Sequence, residues 1–374
     1  MKKKLLAVAV AGALAAPGLA LAQSSVTISG IFKASFENQK MGSPSAARPA
    51  GARTTENRFS DDSSRIIFNV VEDLGGGLQA IGQVDMRVNL ETGALSAAGN
   101  DHVGLRSKSM GRIFIGRQDL HYFNRESDLT NLAGSLRADS ISLLAFAGGG
   151  ATAIAGATRT PNVLHYTSPN WGGFTVVAAY SSSGGAALNA DLFSVTRAGS
   201  AWNINPNFNA GNWQLGWSHW NAKPDGGGVG FAGDQRSDRL YGSFRFGGFK
   251  LGLAWDKSRI RNSFTGADTS SRTAWSLPAS YTMGNNQFHA HYTRARDDRA
   301  IAGDNGARMI ALSYQYTLSK RTSVGVTYAS IRNEAAAAYN FFTGTSGSLG
   351  NSVTSTTLAG EDPRMLAGTI RHAF

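Results

Sequence analysis

The stretch LQAIGQVDMRVNL, residues 78–90, decides how the rest of the chain is read. Ala80, Gly82, Val84, Met86 and Val88 fall on one side of an extended chain, with Gln79, Gln83, Asp85, Arg87 and Asn89 on the other. Side chains alternate across a strand with a period of two, so this is a strand with one apolar and one polar face. No helical stripe runs through it. VTISGIFKASF (26–36) repeats the pattern, with Val26, Ile28, Phe32, Ala34 and Phe36 against Thr27, Ser29, Lys33, Ser35 and Ile31.

The connections between such segments are of two kinds. Short turns rich in Gly, Asn or Pro stand at 73–77, 108–111, 169–173, 209–212, 246–249, 283–286 and 319–322. Longer polar connections stand at roughly 41–62, 91–100, 120–160, 183–192, 224–237, 261–271, 298–306 and 335–362. Seven short and eight long connections, strictly alternating, predict sixteen strands with the short turns at one end and the long loops at the other. The even count places both ends of the sheet at the short-turn side.

An open sheet of that size leaves two unpaired edges, and pairing the last strand with the first removes both. A closed barrel with an apolar outer band aggregates in water. Lipid outside and water inside resolve the conflict. The expected fold is therefore all-β: a 16-stranded antiparallel transmembrane β-barrel with short periplasmic turns and long outer loops.

The segment MKKKLLAVAVAGALAAPGLALA (1–22) has the three parts of a secretory signal peptide: three lysines, an apolar run, and Ala20-Leu21-Ala22 as a small-residue cleavage site. Residues 23–374 are then the mature barrel domain, and removing Lys2, Lys3 and Lys4 lowers the formal charge from +11 to +8. There is no cysteine, which excludes disulfides, thiolate metal sites and cysteine nucleophiles. The surplus Lys and Arg are spread along alternating strands rather than gathered on one helix or arm, which argues against nucleic acid as a partner.

Four segments in order, SSRIIFNVVEDLGGGLQAIGQVD (63–85), HVGLRSKSMGRIFIGRQD (102–119), YTSPNWGGFTVVAAY (166–180) and GTIRHAF (368–374), give the chain a resemblance. It is similar to the trimeric general porins of Gram-negative bacteria, in the branch typical of beta-proteobacteria. The resemblance implies an outer-membrane, water-filled homotrimeric channel for passive diffusion of small hydrophilic solutes and inorganic ions. It implies no cofactor and no enzymatic activity. Outer-membrane lipid, lipopolysaccharide and the barrel assembly machinery are the further partners it implies. The aromatic end Phe374 resembles the signal that this machinery reads, and the 120–160 connection corresponds to the third loop, folded into the pore as its constriction.

A pore of this kind needs fixed charge of both signs across a narrow lumen. Strand parity turns Lys33, Arg65, Arg87, Arg106 and Lys108 inward, with Arg371 a further candidate. Arg117 is assigned inward by the resemblance, since alternation there is ambiguous, with Ile113 and Ile115 sharing its parity. These form the expected basic wall. Asp119, Glu126, Asp128 and Asp139 are the expected acidic side, at and within the third loop. The apolar, carboxylate-free stretch 143–158 and the loop cations Arg125 and Arg137 predict a mild anion preference.

His289 and His291 share a strand face, but no third ligand stands at metal-site spacing, so no metal site is expected. EDLGGG (72–77) lacks the G-K-[ST] and following helix of a phosphate loop and reads as a hairpin turn. Thirteen aromatics, Trp220 and Phe374 among them, are expected to form interfacial girdles. Two other readings use the same barrel. A substrate-specific channel would draw on Tyr122, Phe123 and Phe146 of the third loop, and a surface receptor or adhesin would draw on the 335–362 loop.

Overall fold

The computed structural model describes residues 24–97, 99–121, 134–144, 154, 157–182, 199–223, 233–342, 353–354 and 356–374. The first extended segments are β1 (Ser25–Gly42), β2 (Thr55–Asp61), β3 (Ser64–Gly75), β4 (Leu78–Val88), β5 (Leu95–Ser96), β6 (Asp101–Ser107), β7 (Gly111–Gln118), β8 (Thr160–Thr167) and β9 (Phe174–Ser181). They are followed by β10 (Ser200–Ala210), β11 (Trp213–Lys223), β12 (Asp234–Phe246), β13 (Phe249–Arg261), β14 (Asp268–Met283), β15 (Asn286–Ala295), β16 (Ala307–Thr317), β17 (Thr322–Asn333) and β18 (Asp362–Ala373). All pairings are antiparallel and between chain neighbours, except β1 with β18, β1 with β3 and β4 with β6. Segments β2 and β3 both pair with β1, and β5 and β6 both pair with β4, so eighteen segments make sixteen barrel strands.

Closure runs over twelve residue pairs, from Ile31 opposite Ala373 to Gly42 opposite Asp362. In hydrocarbon an unsatisfied peptide group costs several kcal/mol, so an open edge of this length is not viable there. All seven short turns fall where the sequence places them. Three long connections are shorter than expected, because β2, β12 and β14 occupy parts of 41–62, 224–237 and 261–271.

The two faces separate as the alternation predicts. Val26, Ile28, Phe36, Val84, Ile310 and Leu366 project outward and are exposed, while Lys33, Ser35, Glu37, Asp85 and Arg87 on the same strands are buried inside. One expected girdle aromatic departs: Trp220 is fully buried on the inner side, its indole N–H donating to Gln235 Oε1 at 3.3 Å.

The inner face is not uniformly polar. Ala274, Ala295, Ala307, Ala311, Ala329 and Ala367 line the inside of β14–β18, where Ala138, Leu143 and Leu144 of the third loop pack against them. Small side chains on the wall leave the space that a loop inside a barrel must occupy.

Candidate functional site

The site begins at an irregularity of the backbone. Ala34 pairs with Asp61, but Ile31 pairs with Arg65, so the second barrel strand gains one residue across the Asp62–Ser63 break between β2 and β3. Ser63 absorbs the extra residue with φ of 71°, in the left-handed region. A bulge of this kind re-aims side chains. Here it turns Asp62 into the barrel, buries Asp61 against the Ser63 and Ser64 N–H groups, and puts Arg65 on the inner face of β3 opposite Arg87.

The third loop lands on that bulge. Ser135 Oγ donates to Glu37 Oε1 at 3.2 Å and Asp62 Oδ1 at 3.3 Å, and the Leu136 N–H donates to Asp62 Oδ1 at 3.1 Å. Arg137 Nε lies 3.1 Å from Glu37 Oε2, with both side chains fully buried. Glu37 also accepts from Gln39 Nε2 at 2.5 Å and Ser60 Oγ at 3.1 Å.

Beyond this anchor, His291 Nε2 donates to the Ala138 carbonyl at 2.7 Å and Arg272 donates to the Leu144 carbonyl at 2.8 Å. Ser142 Oγ accepts from the Phe342 N–H of the last long loop at 3.0 Å. The segment 134–144 is thus held from four sides, by β1 and the bulge, by β17, by β15 and by β14. Its first approach is fixed by His121, hydrogen-bonded to Ser218 at 2.8 Å and Ser237 at 2.9 Å. Burial, with the Arg239 charge nearby, pushes this imidazole down to about 3, so it is neutral.

Four of the expected basic residues share one region of the inner wall. Lys33 stands directly opposite Arg371, and Arg65 directly opposite Arg87. Arg65 also faces Ile31, two residues from Lys33 on β1, so the four make a cationic patch over β18, β1, β3 and β4. Arg87 is tied to Asp85 Oδ2 and Ser63 Oγ, each at 2.8 Å.

The other expected cations lie elsewhere. Arg106 and Lys108 are at the short-turn end, where Arg106 donates to Gln79 Oε1 at 2.8 Å. Gln79 is eight residues from Arg87 along β4, roughly 26 Å at the rise of a strand, so these two cations belong to the periplasmic mouth. Arg117 keeps the outward parity of Ile113 and Ile115, lines a cleft with Val103, Leu164 and Tyr180, and donates from Nε to the Arg159 carbonyl at 3.0 Å. The register, opposite Asp101, puts it on the outward face, against the resemblance.

The acidic side is also corrected. Asp119 closes the neck of the third loop, accepting from Thr158 Oγ1 at 2.6 Å and the Arg159 N–H at 2.9 Å. Asp139 caps the turn Ser140–Ser142 by accepting from the Ile141 N–H at 3.0 Å, and it neighbours His289 and His291 rather than the basic wall. Glu126 and Asp128 lie outside the described residues, as do Arg125, Tyr122, Phe123 and Phe146. The carboxylates at the cationic patch come instead from the wall itself, as Glu37, Asp62 and Asp85, and the loop contributes a cation, Arg137. Glu37 was legible, since it shares the inward parity of Lys33 and Ser35. Asp62 was not, because a bulge breaks parity.

Two further ionic features were missed. Arg239 and Asp256 form a buried pair at 2.7 Å on β12 and β13, and Arg272 lies over the Tyr339 ring at 5.5 Å. His165 stacks on Phe114 at 4.3 Å, with His102 on the other side of that ring at 4.2 Å.

Known proteins share this architecture. The model of the Gram-negative porin family matches residues 7–336. An outer membrane porin protein of Bordetella pertussis is 27% identical, over 87% of this chain and 92% of its own length. Outer membrane porin protein 32 of Delftia acidovorans is 28% identical, over 90% and 91%. Among solved structures, an anion-selective porin from Comamonas acidovorans superposes with a TM-score of 0.75 at 23% identity, covering 94% of this chain and all of that one. The trimer form of OmpT from Vibrio cholerae does so with a TM-score of 0.62 at 12% identity, covering 94% and 99%.

Proposed function

This chain belongs to the Gram-negative porin family, a passive diffusion channel of the outer membrane, and from that premise we propose that its pore prefers anions. The observation that carries the reading is the unequal use of charge where the third loop meets the wall. Glu37 and Asp62 are engaged by loop donors, Ser135, the Leu136 N–H and Arg137, whereas Lys33, Arg371 and Arg65 stand beside them in addition to Arg87, which is tied to Asp85. Fixed charge of one sign at a narrow passage enriches the opposite ion and excludes its own. The relative from Comamonas acidovorans is described as anion-selective, which agrees with this reading.

The test is the reversal potential of the refolded protein in a planar bilayer under a KCl gradient. An anion-sign potential is expected, moving towards cations in the variant Lys33→Gln/Arg65→Gln/Arg371→Gln. An unchanged potential removes these residues from the filter.

We further propose a homotrimer, as in the trimer form of OmpT, a cleaved signal peptide ending at Ala22, and Phe374 as the signal for barrel assembly. Conductance steps closing in threes and a mature amino terminus at Gln23 are the corresponding results.

A further inference from the structure

One rung of the inner wall, at the short-turn end, sets two cations side by side without neutralising them. Asp73 on β3 stands opposite Gln79 on β4, Gln79 opposite Arg106 on β6, Arg106 opposite Arg112 on β7, and Arg112 opposite Thr167 on β8. The rung lies on the inner face, since Leu105, Ile113 and Tyr166, the chain neighbours of its last three members, are exposed on the outside. Side chains directly opposite across antiparallel strands have Cβ atoms roughly 4.5–5.5 Å apart, and like charges there are destabilising. Gln79 Oε1 accepts from Arg106 Nε at 3.0 Å and Nη2 at 2.8 Å, so a neutral amide stands where a carboxylate would cancel the charge. The Arg112 guanidinium carbon lies 5.0 Å from the centre of the Phe114 ring, and among the described residues the guanidinium has no hydrogen-bond partner. The Thr167 hydroxyl is buried and likewise unpartnered among them.

The rung lines a cavity of about 680 Å³ at the periplasmic mouth, to which Lys108 adds a third cation. This is the size of a small-molecule site. Its floor is rigid, because the Phe114 ring under Arg112 is stacked between His102 at 4.2 Å and His165 at 4.3 Å. At the rise of a strand it lies roughly 26 Å from Arg87, well away from the patch where the third loop lands. Asp73 makes no ion pair with these cations among the described residues; its Oδ1 accepts from the Gly75 N–H at 3.0 Å.

We propose that this rung is a binding site for a sugar phosphate, with the phosphoryl group on Arg106 and Arg112 and the sugar hydroxyls on Gln79 and Asp73. Guanidinium groups bind phosphate by paired, charge-assisted hydrogen bonds, and strands about 4.8 Å apart let one phosphoryl group bridge two of them. Thr167 supplies a hydroxyl to a further phosphoryl oxygen. A bare anion would be repelled by Asp73, whereas a carboxylate accepts hydrogen bonds from a polyol. Asp73 stands two strands from Arg106, roughly 10 Å, a gap that a hexose joined to its phosphate bridges. The site requires that the chain be a pore, but not that the pore prefer anions.

The experiment titrates glucose 6-phosphate onto the refolded protein in planar bilayers and reads the concentration that halves the conductance. Glucose and inorganic phosphate are the parallel arms, and glucose 6-phosphate should block at a lower concentration than either. In Arg106→Gln/Arg112→Gln its half-blocking concentration should rise at least tenfold, a difference of about 1.4 kcal/mol. Lys33→Gln/Arg65→Gln/Arg371→Gln should raise it far less. Asp73→Asn should weaken the block by glucose 6-phosphate and leave that by inorganic phosphate as it was. An unchanged block in the Arg106/Arg112 variant, or a larger loss in the Lys33/Arg65/Arg371 variant, overturns the proposal. Equal block by inorganic phosphate overturns it too, by removing the sugar from recognition. Block that persists in a channel without anion preference supports the site and counts only against the selectivity reading. Heat-modified gel mobility shows whether each variant is folded. If the double variant is not, Arg112→Lys, which keeps the charge and loses the paired donors, must weaken the block, and an unchanged block there overturns the proposal.

Discussion

Gly30 and Phe374 exchange both backbone hydrogen bonds, each 3.1 Å long, and a Cβ on Gly30 would lie 2.6 Å from the Phe374 ring and 2.4 Å from the Arg65 carbonyl. The glycine is the space into which the terminal aromatic folds, and the ring rests on Phe32 at 5.1 Å. Closure of the barrel is thus completed at one glycine and one phenylalanine, 344 positions apart in the chain.

Gly30→Val should force the last strand outward. Overpacking typically costs ~1–3 kcal/mol, more where backbone is the obstacle. The expected result is a lower unfolding temperature on heat-modified gel mobility and slower refolding into detergent. Phe374→Ala, which leaves a cavity instead, should refold with less impairment if packing is the whole role of the ring. Wild-type refolding combined with failed insertion in cells would separate assembly recognition from packing.

Removing one partner of the Glu37–Arg137 pair should release the third loop. A buried ion pair broken on one side typically costs ~3–5 kcal/mol, because the remaining charge is stranded. Glu37→Gln is expected to raise open-channel noise and shift the reversal potential further towards anions. Arg137→Gln should shift it the other way. Shifts of the same sign in both variants would contradict the proposed arrangement.

The alanine floor under the loop gives an uncharged test. Ala329→Leu enlarges a fully buried position in the cluster that receives Leu143 and Leu144. Displacing the loop into the lumen should lower single-channel conductance while leaving selectivity almost unchanged, since no charge is altered. An unaltered conductance would mean that the loop does not rest on this floor during conduction.

On the outer surface, the Arg48 guanidinium hydrogen-bonded to Glu361 holds that carboxyl down to about 2. Glu361 also accepts from the Ser45 N–H at 2.9 Å and the Leu358 N–H at 2.8 Å, so it clasps the first long loop to the last. A carboxyl depressed in the folded state contributes stability above its unfolded pKa of roughly 4.3, and that contribution is lost as pH falls towards 2. Hydrogen exchange in 43–54 and 356–361 should accelerate between pH 4 and pH 2, whereas Glu361→Gln should exchange quickly at neutral pH already.

How far the sequence reached is clearest at Lys33, Arg65, Arg87 and Arg371. Regular alternation placed all four on the inner face, and their register with one another follows from strand order and closure. The same alternation fixed the barrel, because a period of two, seven short turns and eight long loops admit few other arrangements. At Arg117 alternation was ambiguous and the resemblance pointed inward, whereas the register puts the residue on the outward face.

What only the tertiary structure decided was height and irregularity. Parity gives a face but not the height at which the third loop lands, which the structure sets at Glu37 and Asp62; the short turn at 108–111 alone already put Arg106 and Lys108 far from Arg87. Asp62 faces the interior through a single inserted residue at Ser63, which breaks parity and leaves no periodic trace in the sequence. The pairing of Glu37 with Arg137 joins a strand to a loop 100 residues away, and only the packing of that loop onto small alanines brings the two charges together. Local periodicity is written in the chain one residue at a time, whereas the sign and place of a pore's charge depend on which distant segments share its interior.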